Sequence, residues 1–272
     1  MVDAPKQIEG KPAEPEDELA GSEAPLLDHL IELRKRLIHS IIALGVLLIV
    51  CFLFAGQIFD ILLEPYRSVV PNPAELELIY TAPQEFFFTQ LNIAFFGALF
   101  LGFPYVATQI YMFVAPGLYR HERKAFIPYL VATPIFFFLG ALLVYFAVLP
   151  MAMRFFLGME TENVSMLVKV SEYLGLAMTL IIAFGICFQL PVVLTLLARI
   201  ELVNTEMLKK GRRYAIVAIL AVAAFITPPD PISQIGLAIP VYLLYEASIW
   251  SVRWIERSRA AKEAAEAAKP QA

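Results

Sequence analysis

The sequence predicts an all-α membrane protein of six transmembrane helices, kinked and cup-like, with N-terminus and C-terminus both cytoplasmic. Composition is the first reason: 59% of the 272 residues are hydrophobic and 17% charged, too apolar for the surface that a soluble domain of this length must cover. Six apolar runs are the second, at Leu37 to Ala55, Phe86 to Phe113, Ala125 to Leu149, Val170 to Ala198, Tyr214 to Ile226 and Gln234 to Val252. Most reach the roughly 20 residues that a helix needs to cross a ~30 Å hydrocarbon core. Charge asymmetry is the third. Of 21 Lys and Arg residues, 18 fall in the two tails and the second and fourth connections, which leaves Arg67, Arg154 and Lys169 for the other side. The positive-inside rule makes the richer side cytoplasmic and the remaining three connections exterior.

Residues 1–24 carry seven acids against two Lys and hold no apolar core, so they are no signal peptide and read as a disordered acidic cytoplasmic tail. The six-span domain is placed at 25–254 and a cytoplasmic tail at 255–272, where Ala260 to Lys269 has the helix propensity to prolong the last span. Just ahead of span one, Leu26, Leu30, Leu33 and Leu37 recur at helical spacing while Asp28, Glu32, Lys35 and His39 take the other face. This is the pattern of an amphipathic helix at the interface. Cys51 in span one and Cys187 in span four read as small buried hydrophobes, with neither a disulfide framework nor metal-ligand spacing.

The exterior connection from Gly56 to Glu85 is the longest, and its apolar stretch Ile58 to Leu63, followed by Pro65, Pro71, Pro73 and Pro83, predicts a short interfacial helix capping the bundle. Spans two and four are nearly 30 residues long. As helix that is about 45 Å, so they must tilt, bend or protrude. Pro104, Pro128, Pro134, Pro191 and Pro240 sit within spans and favour kinks, and kinked helices packed together enclose a concave face. Span five covers only about 20 Å before the breaker Thr227-Pro228-Pro229-Asp230-Pro231, so the bilayer thins there or the partner helices tilt.

Nothing in the sequence assembles an active site. His29, His39 and His121 lie at the cytoplasmic border, no Ser sits in a nucleophile elbow, and His121-Glu122-Arg123-Lys124-Ala125 lacks the second His of a zinc-protease helix. Lys210-Gly211 lacks both the earlier Gly and the hydroxyl of a phosphate loop. The expectation is therefore no enzyme, no metal and no cofactor. The basic residues hug the span ends where topology requires them, which gives no indication of nucleic-acid binding. Asn163-Val164-Ser165, on the exterior, is a sequon short enough to arise by chance.

Polar groups at the cytoplasmic edge and in the spans remain. Glu32 stands among Arg34, Lys35 and Arg36, and Glu122 is the one acid beside Arg120, Arg123 and Lys124. Taken singly, each reads as an acid balancing its basic neighbours through a local ion pair. Gln189 lies deep in span four, just before Pro191, and Glu246 lies in the cytoplasmic half of span six. Groups at that depth are costly and face a bundle interior or a wet cavity, unless Glu246 snorkels to the interface.

Four stretches carry more than composition can. They are His29-Leu30-Ile31-Glu32-Leu33-Arg34-Lys35-Arg36, Phe113-Val114-Ala115-Pro116-Gly117-Leu118-Tyr119-Arg120-His121-Glu122-Arg123, Phe184-Gly185-Ile186-Cys187-Phe188-Gln189-Leu190-Pro191 and Thr227-Pro228-Pro229-Asp230-Pro231-Ile232-Ser233-Gln234. In these motifs, their order and their side of the membrane, the chain resembles the TatC family, the receptor subunit of the twin-arginine protein translocase. The resemblance implies a multi-pass receptor in the lipid of the bacterial cytoplasmic membrane. Such a receptor binds signal peptides with paired arginines and, with TatA- and TatB-type single-span subunits and with further copies of itself, exports folded cargo on the proton-motive force. It implies Glu32 and Glu122 as the carboxylates for the two arginines, Phe113 in the same patch, and Arg34 as a residue ordering the first motif. Asp230 becomes an exterior-loop acid with a structural or assembly role. Gln189 stands where the family also admits Glu, which argues against a charge-dependent role there.

The chemistry fits that implication, because two guanidinium groups on an extended peptide need two separated, accessible carboxylates, and the planar fork of Arg is preferred to Lys. Apolar insertion into the concave bundle would then add burial that ion pairs at a wet surface lack. A small-solute secondary transporter is the alternative reading, but it needs an ion or substrate site near mid-membrane, and Gln189 and Glu246 lie on separate spans with no paired half-repeats around them. A passive scaffold that gathers single-span proteins along span five is a third.

Overall fold

The structure, a computed structural model, describes residues 15–70, 78–114, 127–161, 166–226 and 231–267, with side chains described over 29–70, 78–113, 128–161, 166–226 and 234–261. Helices α1 (Pro15–Leu53), α2 (Ala55–Arg67), α3 (Glu85–Val114) and α4 (Ile127–Leu143) lead into a π-helical turn, Val144–Val148. Then come α5 (Leu149–Leu157), α6 (Val170–Cys187), α7 (Leu190–Arg199), α8 (Thr205–Ile226) and α9 (Pro231–Ala267). Two short strands, β1 (Leu78–Ile79) and β2 (Val168–Lys169), pair in parallel.

Among the described residues, five helical segments are long and apolar enough to cross a membrane: His29–Leu53, Glu85–Phe113, Pro128–Leu157, Val170–Arg199 and Gln234–Ala261. The expected fifth span falls in α8, whose first half carries Lys209, Lys210, Arg212 and Arg213 and whose apolar part is confined to Tyr214 through Ile226. Helix α1 begins at Pro15, inside the stretch read from sequence as an unstructured tail. Proline at the first helical position suits a helix start, where its missing N–H has no helical partner to lose. Residues 1–14 lie outside the described residues.

The prolines act unequally. Pro191 breaks its span, since α6 ends at Cys187 and α7 starts at Leu190. Pro104, Pro134 and Pro240 lie inside unbroken helices. Pro128, expected to kink, instead occupies the first turn of α4, where a missing N–H costs nothing. No local pattern signals the π turn, in which the Leu149 N–H bonds the Val144 carbonyl five residues back, just before Pro150.

Packing pairs α1 with α3, α4 with α6, and both α7 and α8 with α9. Small residues permit the close approaches, as expected where lipid provides no hydrophobic drive between helices. A Cβ on Gly97 would lie 2.9 Å from the Cys51 sulfur, and one on Gly102 2.7 Å from a Leu44 methyl. Between α4 and α6 the arrangement is reciprocal: a Cβ on Gly140 would meet the Phe184 carbonyl at 2.7 Å, and one on Gly185 the Phe137 ring at 2.5 Å. Phe137 is itself held, stacked on Phe103 with centroids 3.8 Å apart.

The interfacial helix read in the longest connection exists as α2, and it does more than lie on a surface. Leu62, Leu63 and Tyr66 are almost fully buried, each worth about 1.5–3 kcal/mol over exposure to water. Tyr173 donates to the Leu62 carbonyl and Tyr145 to the Ile61 carbonyl, both at 2.9 Å. At the same end of the bundle, Leu78 pairs with Val168 and Ile79 with Lys169, which links the segments leading into α3 and α6. Glu85, the first residue of α3, accepts bonds from the Thr81 N–H at 2.8 Å and the Ser171 hydroxyl at 2.5 Å, with Lys169 Nζ 3.9 Å away. A carboxylate at a helix N-terminus suits the dipole, and Ser171 makes it a tie between α3 and α6.

Candidate functional site

Of the leucine stripe before span one, the described Leu30, Leu33 and Leu37 are exposed, and the opposite stripe is divided, with Glu32 half-buried but Lys35 and His39 also exposed. The inward side is formed by Glu32 and Arg36, both half-buried, and by Ser40, which is buried. For a chain dissolved in lipid this is the sensible orientation, because the apolar face meets the solvent and the polar face must find partners in the protein. It finds them within α1 and on α3. Arg36 donates from Nε and Nη2 to Glu32 Oε1 at 2.9 and 2.5 Å, and from Nη1 to Gln109 Oε1 at 3.4 Å. Nearer the start of α1, the His29 and Phe113 rings stack with centroids 4.3 Å apart and planes 17° off parallel.

Glu32 and Phe113 thus belong to one neighbourhood, where α1 meets the end of α3. The carboxylate is tied on a single oxygen and its side chain keeps 31% exposure, so it is neither sealed in nor free of internal charge. The guanidinium that orders it is Arg36, where the resemblance pointed to Arg34; Arg34 is exposed. Spacing could have found Arg36, since an acid four residues before a basic residue is the favoured order for a helix ion pair. His29 and Gln109 had no such signal, because each contact crosses from α1 to α3. Glu122 and Asp230 lie outside the described residues; the connection holding Glu122 follows α3 directly after Phe113 and Val114.

The two polar groups within the spans are each engaged locally and lie apart. Gln189, at the break between α6 and α7, donates from Nε2 to the Thr133 carbonyl at 2.9 Å, and the Thr133 hydroxyl bonds the Tyr111 hydroxyl at 3.0 Å. The amide thereby ties the broken span to α4 and, through Thr133, to α3. Glu246 accepts from Arg212 of α8 at 2.7 Å and from the Tyr242 hydroxyl at 3.1 Å, which makes it an interhelical ion pair and not a lone snorkelling acid. Further along α9, the Glu256 carboxylate accepts from the N–H and the hydroxyl of Thr205 at 2.8 and 2.5 Å, and Arg259 pairs with Glu201. Glu201 is the one described non-glycine residue with a left-handed backbone, φ 64°, at the turn between α7 and α8.

The family described as Sec-independent protein translocase protein (TatC) matches residues 28–240, a stretch that holds the whole α1–α3 neighbourhood. The Sec-independent protein translocase protein TatC of Magnetococcus marinus is 48% identical over 246 residues, 90% of each chain. That of Escherichia coli K12 is 36% identical over 230 residues, 85% of this chain and 88% of its own. A crystal structure of the twin-arginine translocase receptor TatC superposes with a TM-score of 0.74 at 38% identity, covering 83% of this chain and 98% of that one. Extent, identity and shape agree, and the chain belongs to the TatC family of protein translocase components.

Proposed function

We propose that this chain is the signal-peptide receptor and core of a twin-arginine translocase, spanning the bacterial cytoplasmic membrane six times with both termini inside. On this reading α8 is a short crossing, the fifth of the six, and the chain works with TatA- and TatB-type single-span subunits and further copies of itself to export folded cargo on the proton-motive force. The observation that carries it is Glu32, a half-buried carboxylate held in the basic segment of α1 near the His29–Phe113 stack. One guanidinium of the guest engages Glu32 and the other engages Glu122, with Phe113 between them in sequence and Arg34 flanking the first acid. Apolar burial of the peptide along the bundle then commits a partner that charge has selected. Gln189 serves as a helix tie, Glu246 as an α8–α9 ion pair, and Asp230 as a group of the exterior loop. Gln189 and Glu246 each bond a separate set of partners, which speaks against a shared solute site between them.

Crosslinking tests this directly. A peptide with Arg-Arg should label the purified chain near Glu32 and Glu122, and its Lys-Lys counterpart should not. Reversal of either acid to Lys should abolish Arg-Arg binding; unchanged binding by both variants removes the site.

A further inference from the structure

We infer that Arg36 is a resident stand-in for the guest, so that signal-peptide binding exchanges one guanidinium for another at Glu32. The inference rests on the reading of Glu32 as part of the peptide site. Arg36 commits two donors, Nε and Nη2, to Glu32 Oε1, while Nη1 reaches Gln109 Oε1 on α3. Both bonds to the acid fall on the same oxygen. The side chains of Arg36 and Glu32 keep 23% and 31% exposure, so the pair is partly withdrawn from water yet within reach of a third group. Arg36 therefore already makes the interaction that an incoming arginine would make.

Gln109 gives the resident group somewhere to stay. Once Arg36 releases Glu32 it retains an acceptor on α3 and is not left as an unpartnered half-buried charge, which would be strongly unfavourable. The planar fork bridges Oε1 and Gln109 with donors fixed in separate directions, whereas an ammonium at the same position is a point charge on a flexible stem.

The consequence concerns affinity. Every guest must first displace Arg36 from Glu32, and because that cost is common to an arginine and a lysine it lowers both affinities by the same factor. A guest arginine then replaces a fork with a fork, so the number of charge-assisted bonds at Glu32 is nearly conserved and contacts elsewhere decide the outcome. Arg36 thus sets a threshold that weak, electrostatics-only guests fail to cross, which a free carboxylate would lack.

The test measures binding of an Arg-Arg signal peptide and its Lys-Lys counterpart to the full chain in detergent, for the wild type, Arg36→Lys, Arg36→Gln, Gln109→Leu and Glu32→Gln. Arg36→Lys keeps the positive charge and removes the fork, so the resident hold on Glu32 weakens and both peptides should bind more tightly by a similar factor. Arg36→Gln, which leaves Glu32 without its resident guanidinium, should bind both peptides more tightly by about tenfold or more. Gln109→Leu, which removes the acceptor that a displaced Arg36 keeps, should instead weaken binding of both peptides. Unfolding temperatures establish that each variant is folded; if Arg36→Gln is not, Arg36→Lys and Gln109→Leu carry the test. Unchanged affinity for both peptides in Arg36→Lys and Arg36→Gln overturns the stand-in role, and loss of Arg-Arg binding in Glu32→Gln would then leave the Glu32 site itself intact. Undiminished binding in Glu32→Gln overturns the site and the inference with it.

Discussion

The Tyr145 hydroxyl donates to the Ile61 carbonyl at 2.9 Å, and Ile61 is the residue whose own helix partner is missing, because Pro65 four residues on has no N–H. A donor from the π turn fills the gap that a proline opens in α2. The relationship predicts non-additivity. Tyr145→Phe should lower stability by about 1 kcal/mol through the orphaned carbonyl. In a Pro65→Ala background, where the substituted residue supplies the N–H, the same change should cost much less, and thermal unfolding in detergent of the four proteins closes the cycle.

The reciprocal glycines between α4 and α6 should tolerate nothing larger. Gly140→Ala drives a methyl into the Phe184 backbone and Gly185→Ala into a Phe137 ring already stacked on Phe103. Each should cost about 1–3 kcal/mol. Gly175→Ala is the control, since nothing lies within 4 Å of its Cβ position and a helical Gly gains about 0.5–1 kcal/mol on conversion to Ala.

The start of α8 is capped from two sides. Asn204 accepts the Met207 N–H at 2.8 Å and Glu256 accepts the Thr205 N–H at 2.8 Å. Glu256→Ala should cost about 1–2 kcal/mol and speed hydrogen exchange over the first turn of α8, leaving exchange in α3 and α6 unchanged. Ending the chain after Trp254 should reproduce that local effect.

The His29–Phe113 stack joins α1 to the finishing end of α3. His29→Ala and Phe113→Ala should each weaken Arg-Arg peptide binding, and together they should weaken it by less than the sum, with a coupling of about 0.5–1.5 kcal/mol. Additive losses would mean that the rings act independently.

Legibility followed interaction range. The apolar runs, the short helix in the longest connection and the break before Pro191 are local patterns, and each appears in the structure, whereas of the described residues of the polar face read before span one only Glu32 is withdrawn from solvent while Lys35 and His39 are exposed. The family was readable because its motifs are contiguous. The Glu32–Arg36 pair was legible as a type, a local ion pair among basic neighbours, but its donor was not singled out. Contacts between helices left no periodic trace: the Arg36–Gln109 bond, the His29–Phe113 stack, the β1–β2 pairing and the Glu256 cap each join residues that only the tertiary packing brings together. The π turn was hidden for a different reason, since an extra residue in a helix leaves apolar composition unchanged and only its hydrogen bonding differs.

The pairing of Leu78 and Ile79 with Val168 and Lys169 has a bearing on the order in which the protein is made. A ribosome delivers the first of these strands two membrane crossings before the second. Through that interval Leu78 and Ile79 offer an unclaimed backbone edge, open to any neighbouring chain in the same condition. Closure of this face is therefore a late event of biogenesis, and a nascent protein halted before Val168 should be the species most prone to pair with its own kind.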